Sequence, residues 1–120
     1  MNAPISYKTA VATLRDRFPE FVASSEKWYD DLPNDALGTF ALFLCRCIDQ
    51  GCSGELISRS FEFFNEMAES GDDDVVNLLE VAVLEVVADH SQCARIAERR
   101  LNDIGRRLLR RVQRGGFADA

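Results

Sequence analysis

Apolar residues recur along this chain at spacings of three and four, the period of helices with one dry face. Val11, Leu14 and Phe18 follow Ser6, whose hydroxyl can cap a first helix. Pro19-Glu20 suits the first turn of a new helix, so a short second one is expected from Phe21 to Tyr29. The run Asp30-Asp31-Leu32-Pro33-Asn34-Asp35 reads as a turn. Asn34 or Asp35 then caps a third helix through Asp49, with Leu37, Phe40, Leu44 and Ile48 on its stripe. Gly51 closes it. Ser53 and Gly54 open a fourth helix, where Leu56, Ile57, Phe61, Phe64, Met67 and Ala68 share a face and Gly71 gives the stop.

Asp72, Asp73 and Asp74 come next, where carboxylates favour the positive end of a helix dipole. From Val75 to Ala88 the chain is apolar on nearly every side, which marks the central, most buried helix. Its valines would also suit a strand, but its length and acidic cap favour helix. A last helix is expected from Ser91 to Gln113. At about 100° per residue, Cys93, Ala97, Leu101, Ile104, Leu108 and Val112 fall on one side, and Arg95, Arg99, Arg106, Arg107, Arg110 and Arg114 on the other. Gly115-Gly116 ends it, leaving residues 115–120 as a flexible tail. Strand-like alternation and Asn-Gly or Asp-Gly hairpin turns are missing. The expected class is all-α: one compact bundle of five to six helices over residues 1–114, built around the helix near 75–88.

Charge adds an asymmetry to this picture. The net charge of −6 divides into 6 basic and 17 acidic residues over positions 1–90, and 8 basic and 3 acidic over 91–120. All eight late basic residues are arginine. The acidic body argues against general nucleic-acid binding and leaves the arginine helix as the place where such contact could occur. Asn77, Glu80 and Glu85 interrupt the longest apolar run, so no membrane span is expected. The first residues lack the basic-then-apolar plan of a signal peptide, and a cytoplasmic location is expected.

Candidate chemistry is sparse. Cys45 and Cys47 would point about 200° apart on a helix, which does not suit one metal ion. Cys93 lies three residues after His90, the only histidine. A metal-dependent enzyme or sensor would have to use these groups; buried free thiols are the simpler reading. Asp89, His90 and Ser91 read as a helix junction with Asp89 or Ser91 as cap. No phosphate loop or metalloprotease motif occurs. The sequence therefore carries no expected catalytic residue, metal or cofactor.

Glu80 and Glu85 stand in the apolar helix, where a carboxylate is costly unless paired, and the arginine helix could supply a buried ion pair. Two acidic clusters form candidate partner surfaces: Asp30, Asp31 and Asp35 at one turn, beside Trp28 and Tyr29, and Glu66, Glu69, Asp72, Asp73 and Asp74 at another. The basic face of Arg99, Arg106, Arg107 and Arg110 is a third candidate. Part of it is neutralised if Asp103 pairs with Arg99 and Arg107 at four-residue spacing.

The stretch from Asp73 to Val86, with the upstream turn Asp31-Leu32-Pro33 and the aromatic run Phe61-Glu62-Phe63-Phe64, resembles small acidic all-helical bacterial proteins. Some of those look like immunity partners of toxins. The resemblance implies a helical interaction protein and transfers no catalytic residue. The leading expectation is a non-enzymatic protein-binding module, an immunity or antitoxin-type inhibitor whose acidic surface meets a basic toxin domain. The alternative is a nucleic-acid-associated regulator using the arginine helix. A homodimer is compatible with either.

Overall fold

Pro33, not a capping side chain, starts the longest helix. In the computed structural model, which describes residues 4–24 and 32–114, α3 spans Pro33–Asp49, preceded by α1 (Ala10–Arg17) and α2 (Pro19–Ser24). Leu32 occupies the N-cap of α3 without a side-chain bond, and Pro33 stands at the start of the helix. Proline has a preset φ and no N–H to satisfy there, so neither Asn34 nor Asp35 is needed as a cap. Ser6 also acts one turn earlier than expected. Its carbonyl accepts from Thr9 N–H at 3.1 Å, and α1 begins after Thr9.

The next elements are α4 (Gly54–Ala68), α5 (Asp73–Leu78), a π-helical segment (Leu79–Leu84) and α6 (Glu85–Ala88). Ser53 caps α4, its hydroxyl accepting from Leu56 N–H at 3.2 Å. Gly51 and Gly71, at φ 82° and 78°, take the left-handed conformation that ends a helix cheaply. Among the described residues there is no strand, and the fold is all-α and compact, with a Cα radius of gyration of 13.4 Å.

The rod from Asp73 to Ala88 is central, and α3 packs chiefly on its π segment. It is not buried all round. Val75, Leu78, Leu79, Val83, Leu84 and Val87 are buried, while Asn77, Val81 and Glu85 form an exposed strip at four-residue spacing. At about 100° per residue Asn77, Val81 and Glu85 fall within about 80° of one another, so the exposure of Glu85 follows from the helix period.

The expected last helix is two: α7 (Ser91–Arg100) and α8 (Asp103–Gln113). Leu101 and Asn102 are extended, at ψ 148° and 179°. The break is held by two asparagines. Asn102 N–H donates to Asn65 Oδ1 at 2.8 Å, and Asn65 Nδ2 donates to the Arg100 carbonyl at 3.0 Å. Asn102 Oδ1 then caps α8 by accepting from Gly105 N–H at 2.9 Å. Backbone groups that a continuous helix would pair internally are thereby satisfied by α4. The break also rephases the dry face: Leu109 is fully buried, while Ile104, expected inside, is 38% exposed.

This clamp predicts coupled losses. Asn102→Ala lowers stability by about 1–2 kcal/mol, and Asn65→Ala by a similar amount. The double variant loses less than the sum, because the two side chains make different bonds that hold the same break, so losing either set weakens the geometry the other needs. Urea unfolding measures all three, and strictly additive losses would show that the two side chains do not act as one unit.

Candidate functional site

The start of α3 and the end of α6 face each other across an open groove of about 390 Å³. Gly38, Leu42 and Val86 line its apolar part, and Asn34, Asp35, Thr39, Asp89 and His90 supply the polar part. The two rods run close at Gly38, where a Cβ built on it would stand 3.4 Å from the Ala82 carbonyl of the π segment, an ordinary van der Waals contact. A second depression of about 230 Å³ adjoins the groove and shares Asn34 and Asp35 with it. Tyr7, Leu32 and Pro33 line the rest of it. Leu32 is 49% exposed and Tyr7 40% exposed. Asp35 thus stands between an acidic groove and an exposed apolar patch.

His90 ties the groove to the core. It occupies the N-cap of α7 without a side-chain capping bond, and its Nδ1 lies 2.9 Å from the Val86 carbonyl. The ring is thereby attached to the preceding helix, in place of the expected Asp89 or Ser91 cap. The bond to Val86 holds the His90 pKa above the usual imidazole value, against the opposition of burial and with further support from the carboxylates of Asp49 and Asp89. Behind it, Cys45 of α3 and Cys93 of α7 are buried thiol neighbours. Cys93 donates to the Cys45 sulfur, and that bond, with burial, pushes the Cys93 thiol far up, so Cys93 stays protonated. Among the described residues, no three His, Cys, Asp or Glu side chains are arranged to hold a metal ion.

The expected partner residues separate into different roles. Asp30 and Asp31 lie outside the described residues, as do Trp28, Tyr29 and the tail 115–120. Asp35 is exposed at the groove. Glu66 is taken up internally: Arg17 of α1 grips it with two bonds of 2.6 and 2.8 Å. Asp72 is structural, its Oδ1 capping α5 by accepting from Asp74 N–H and its Oδ2 accepting from Tyr7 N–H at 3.1 Å. That second bond positions the backbone of Tyr7 beside the apolar patch. Glu69, Asp73 and Asp74 remain exposed at the corner between α4 and α5.

Of the two carboxylates in the central rod, Glu80 is held by Arg111 through two bonds of 2.6 Å, with 17% of its side chain exposed. Glu85 is exposed, so the expectation of burial for it is corrected. The basic face is also divided. Arg106 Nε donates to the Glu98 carbonyl at 2.9 Å, and its Nη1 reaches Asp103 at 3.2 Å. Arg110 lies 3.7 Å from Glu98, while Arg99 and Arg107 are exposed. The break at Leu101–Asn102 puts Arg99 and Asp103 on different helices, which removes their expected four-residue pairing.

Sequence reasoning missed Gly38 and Arg111; it read Asp89 and His90 as a helix junction, with His90 and the cysteines as the groups a metal site would have to use. The four-residue spacing of Val86 and His90 was a usable signal for the ring-to-carbonyl bond. Nothing local in the sequence marks Gly38 as a contact with the π segment. No described helix is long and apolar enough to cross a membrane.

The raised His90 value fixes a sign. A group whose folded pKa lies above its unfolded one contributes stability that is complete below the unfolded value and is lost as pH rises through the folded one. His90 therefore favours the fold at mildly acidic pH and loses that contribution through the neutral range. Urea unfolding at about pH 5.5 and about pH 8 should show a smaller pH difference in His90→Gln than in the parent. An NMR midpoint for His90 below the ordinary imidazole value would contradict the assignment.

No curated protein and no solved structure matches this chain. A match does come from the family described as Domain of unknown function (DUF7674), over residues 11–114. That span runs from the second residue of α1 past the end of α8 and includes the Asn65–Asn102 clamp, the π segment and every residue lining the groove. The chain belongs to the DUF7674 family.

Proposed function

We propose that the protein is a non-enzymatic binding module for a basic protein partner. The observation that carries this reading is the position of Asp35, which joins a groove bordered by Asp89 to an exposed patch of Tyr7 and Leu32. A groove with two carboxylates suits a lysine or arginine side chain, and the neighbouring patch suits an apolar one. Charged and apolar recognition side by side is the usual composition of a specific protein interface. The exposed carboxylates Glu69, Asp73 and Asp74 add a long-range field that speeds encounter with a cationic surface.

The finer form of the proposal is an immunity or antitoxin-type inhibitor that covers a basic toxin domain. It is supported by the acidic body and by the resemblance of residues 30–112 to immunity-like helical proteins. The nucleic-acid reading gains less support, because Arg106 and Arg111 are engaged within the chain. An intracellular site of action in the bacterial cytoplasm is part of the same proposal.

Affinity capture from the native host identifies the partner, and co-expression with the neighbouring reading frame tests rescue from toxicity. With the partner in hand, Asp35→Lys combined with Asp89→Lys weakens binding by roughly 10–100-fold. The triple change Glu69→Lys, Asp73→Lys, Asp74→Lys acts chiefly on the association rate and its salt dependence. Circular dichroism checks that each variant is folded. Failure to find either a partner or rescue would refute the inhibitor reading. Unchanged affinity in folded Asp35→Lys/Asp89→Lys would remove the groove from the interface.

A further inference from the structure

We infer that Cys47 and Cys52 form a two-thiol site that a hydroperoxide oxidises to an intrachain disulfide. The geometry comes from the way α3 ends. Gly51 takes φ 82°, Cys52 N–H donates to the Cys47 carbonyl at 2.8 Å, and Gly51 N–H donates to the Ile48 carbonyl at 3.1 Å. These are the paired reverse bonds of a Schellman motif, with Cys47 three positions before the cap and Cys52 two positions after it. The motif commonly brings the side chains of those two positions into contact. In most proteins the contact is between apolar groups. Here it is between two sulfurs, and Cys52 has Cys47 as its thiol neighbour.

Access separates this pair from the other. Cys45 and Cys93 are buried, at 0% and 1% exposure, whereas Cys47 and Cys52 are half-buried at the edge of the core. A small neutral oxidant can therefore reach the second pair without unfolding the chain. Burial, with Cys47 beside it, pushes the Cys52 thiol up, which makes Cys47 the attacking sulfur and Cys52 the resolving one.

The chemistry balances with hydrogen peroxide as oxidant. The Cys47 thiolate attacks one peroxide oxygen, the O–O bond breaks, and the departing hydroxide takes up a proton to become water. Cys47 is then a sulfenic acid. The Cys52 sulfur attacks the Cys47 sulfur and displaces hydroxide, which leaves as water with the Cys52 proton. Two thiols have lost two electrons and two protons together, and the peroxide has become two waters.

The test uses the full reduced chain, treated with a few equivalents of hydrogen peroxide and quenched with N-ethylmaleimide under denaturing conditions. The expected product has lost about 2 Da, carries maleimide on Cys45 and Cys93, and yields a peptide cross-linked between Cys47 and Cys52. Cys52→Ser cannot close the bond, so Cys47 gains about 16 or 32 Da as sulfenic or sulfinic acid. Cys47→Ser slows peroxide consumption by at least about tenfold. Four alkylatable thiols after treatment, a Cys45–Cys93 cross-link in place of the expected one, or a Cys52→Ser chain that loses 2 Da as the parent does would each overturn the inference. None of these readouts depends on a protein partner, so the result is separate from the proposed binding function.

Discussion

Phe40 is the contact on which the N-terminal half depends. Its ring centroid lies 4.6 Å from Phe18, 5.3 Å from Phe21, 6.4 Å from Phe63 and 5.9 Å from Phe64. Those four rings come from the end of α1, from α2 and from α4, so one side chain of α3 gathers three neighbouring elements. Tilted and edge-on pairs at these distances contribute about 0.5–1.5 kcal/mol each beyond area burial. Two arginines close the cluster at its edge. Arg17 lies 5.8 Å from the Phe63 centroid and Arg59 lies 5.5 Å from that of Phe18. Each also holds a carboxylate, Glu66 and Glu20 respectively. The ion pairs are partly solvated and worth little alone; their stems and planes cover aromatic rings that would otherwise meet water.

With that half fixed, the opposite side of α3 is free to carry the central rod. There the backbones run close: Gly38 faces the Ala82 carbonyl at a distance that would just admit a Cβ. The π segment falls at the same level of the molecule. Such insertions interrupt a regular helix at a cost and are frequent at functional sites. In this chain the insertion precedes Val86, Asp89 and His90, the three groove residues contributed by the rod and its end. The groove's shape is thus linked to the irregularity, and a uniform α-helix over 73–88 would present different side chains to α3.

Most of the fold was legible from periodicity, because α3, α4 and the rod from Asp73 each carry a stripe that the core needs. Ser53, Gly51 and Gly71 were legible because caps and stops depend on single residue types. What periodicity could not show was decided by contacts distant in sequence. The split at Leu101–Asn102 is invisible in a wheel, since Leu101 fits the apolar stripe and Asn102 is an ordinary helix-surface residue. Asn65, on another helix, decides that the chain is extended there. The same distance in sequence hid the partner of Glu66; for Glu80 the arginine helix was expected, but not which of its arginines would reach it. Charge clusters along the sequence mixed structural carboxylates such as Asp72 with exposed ones such as Asp73, and only the fold separates them.

The charge asymmetry along the chain then has a structural meaning. The arginine-rich end is not a detached basic arm: Arg111 grips Glu80 of the central rod, and Arg106 reaches back to the Glu98 carbonyl across the break. These contacts fold positive charge onto the C-terminal side of the body and neutralise a carboxylate that would be costly to leave nearly buried and alone. The N-terminal side shows the same use of charge, with Arg17 and Arg59 committed to Glu66 and Glu20. At the mouth of the groove, Asp35 and Asp89 have His90 as the cation nearby, and its charge is titratable. When His90 is neutral, the field at the groove is set by the two carboxylates. The groove is thus most attractive to a cationic side chain above the His90 pKa, in the pH range where His90 contributes least to the fold.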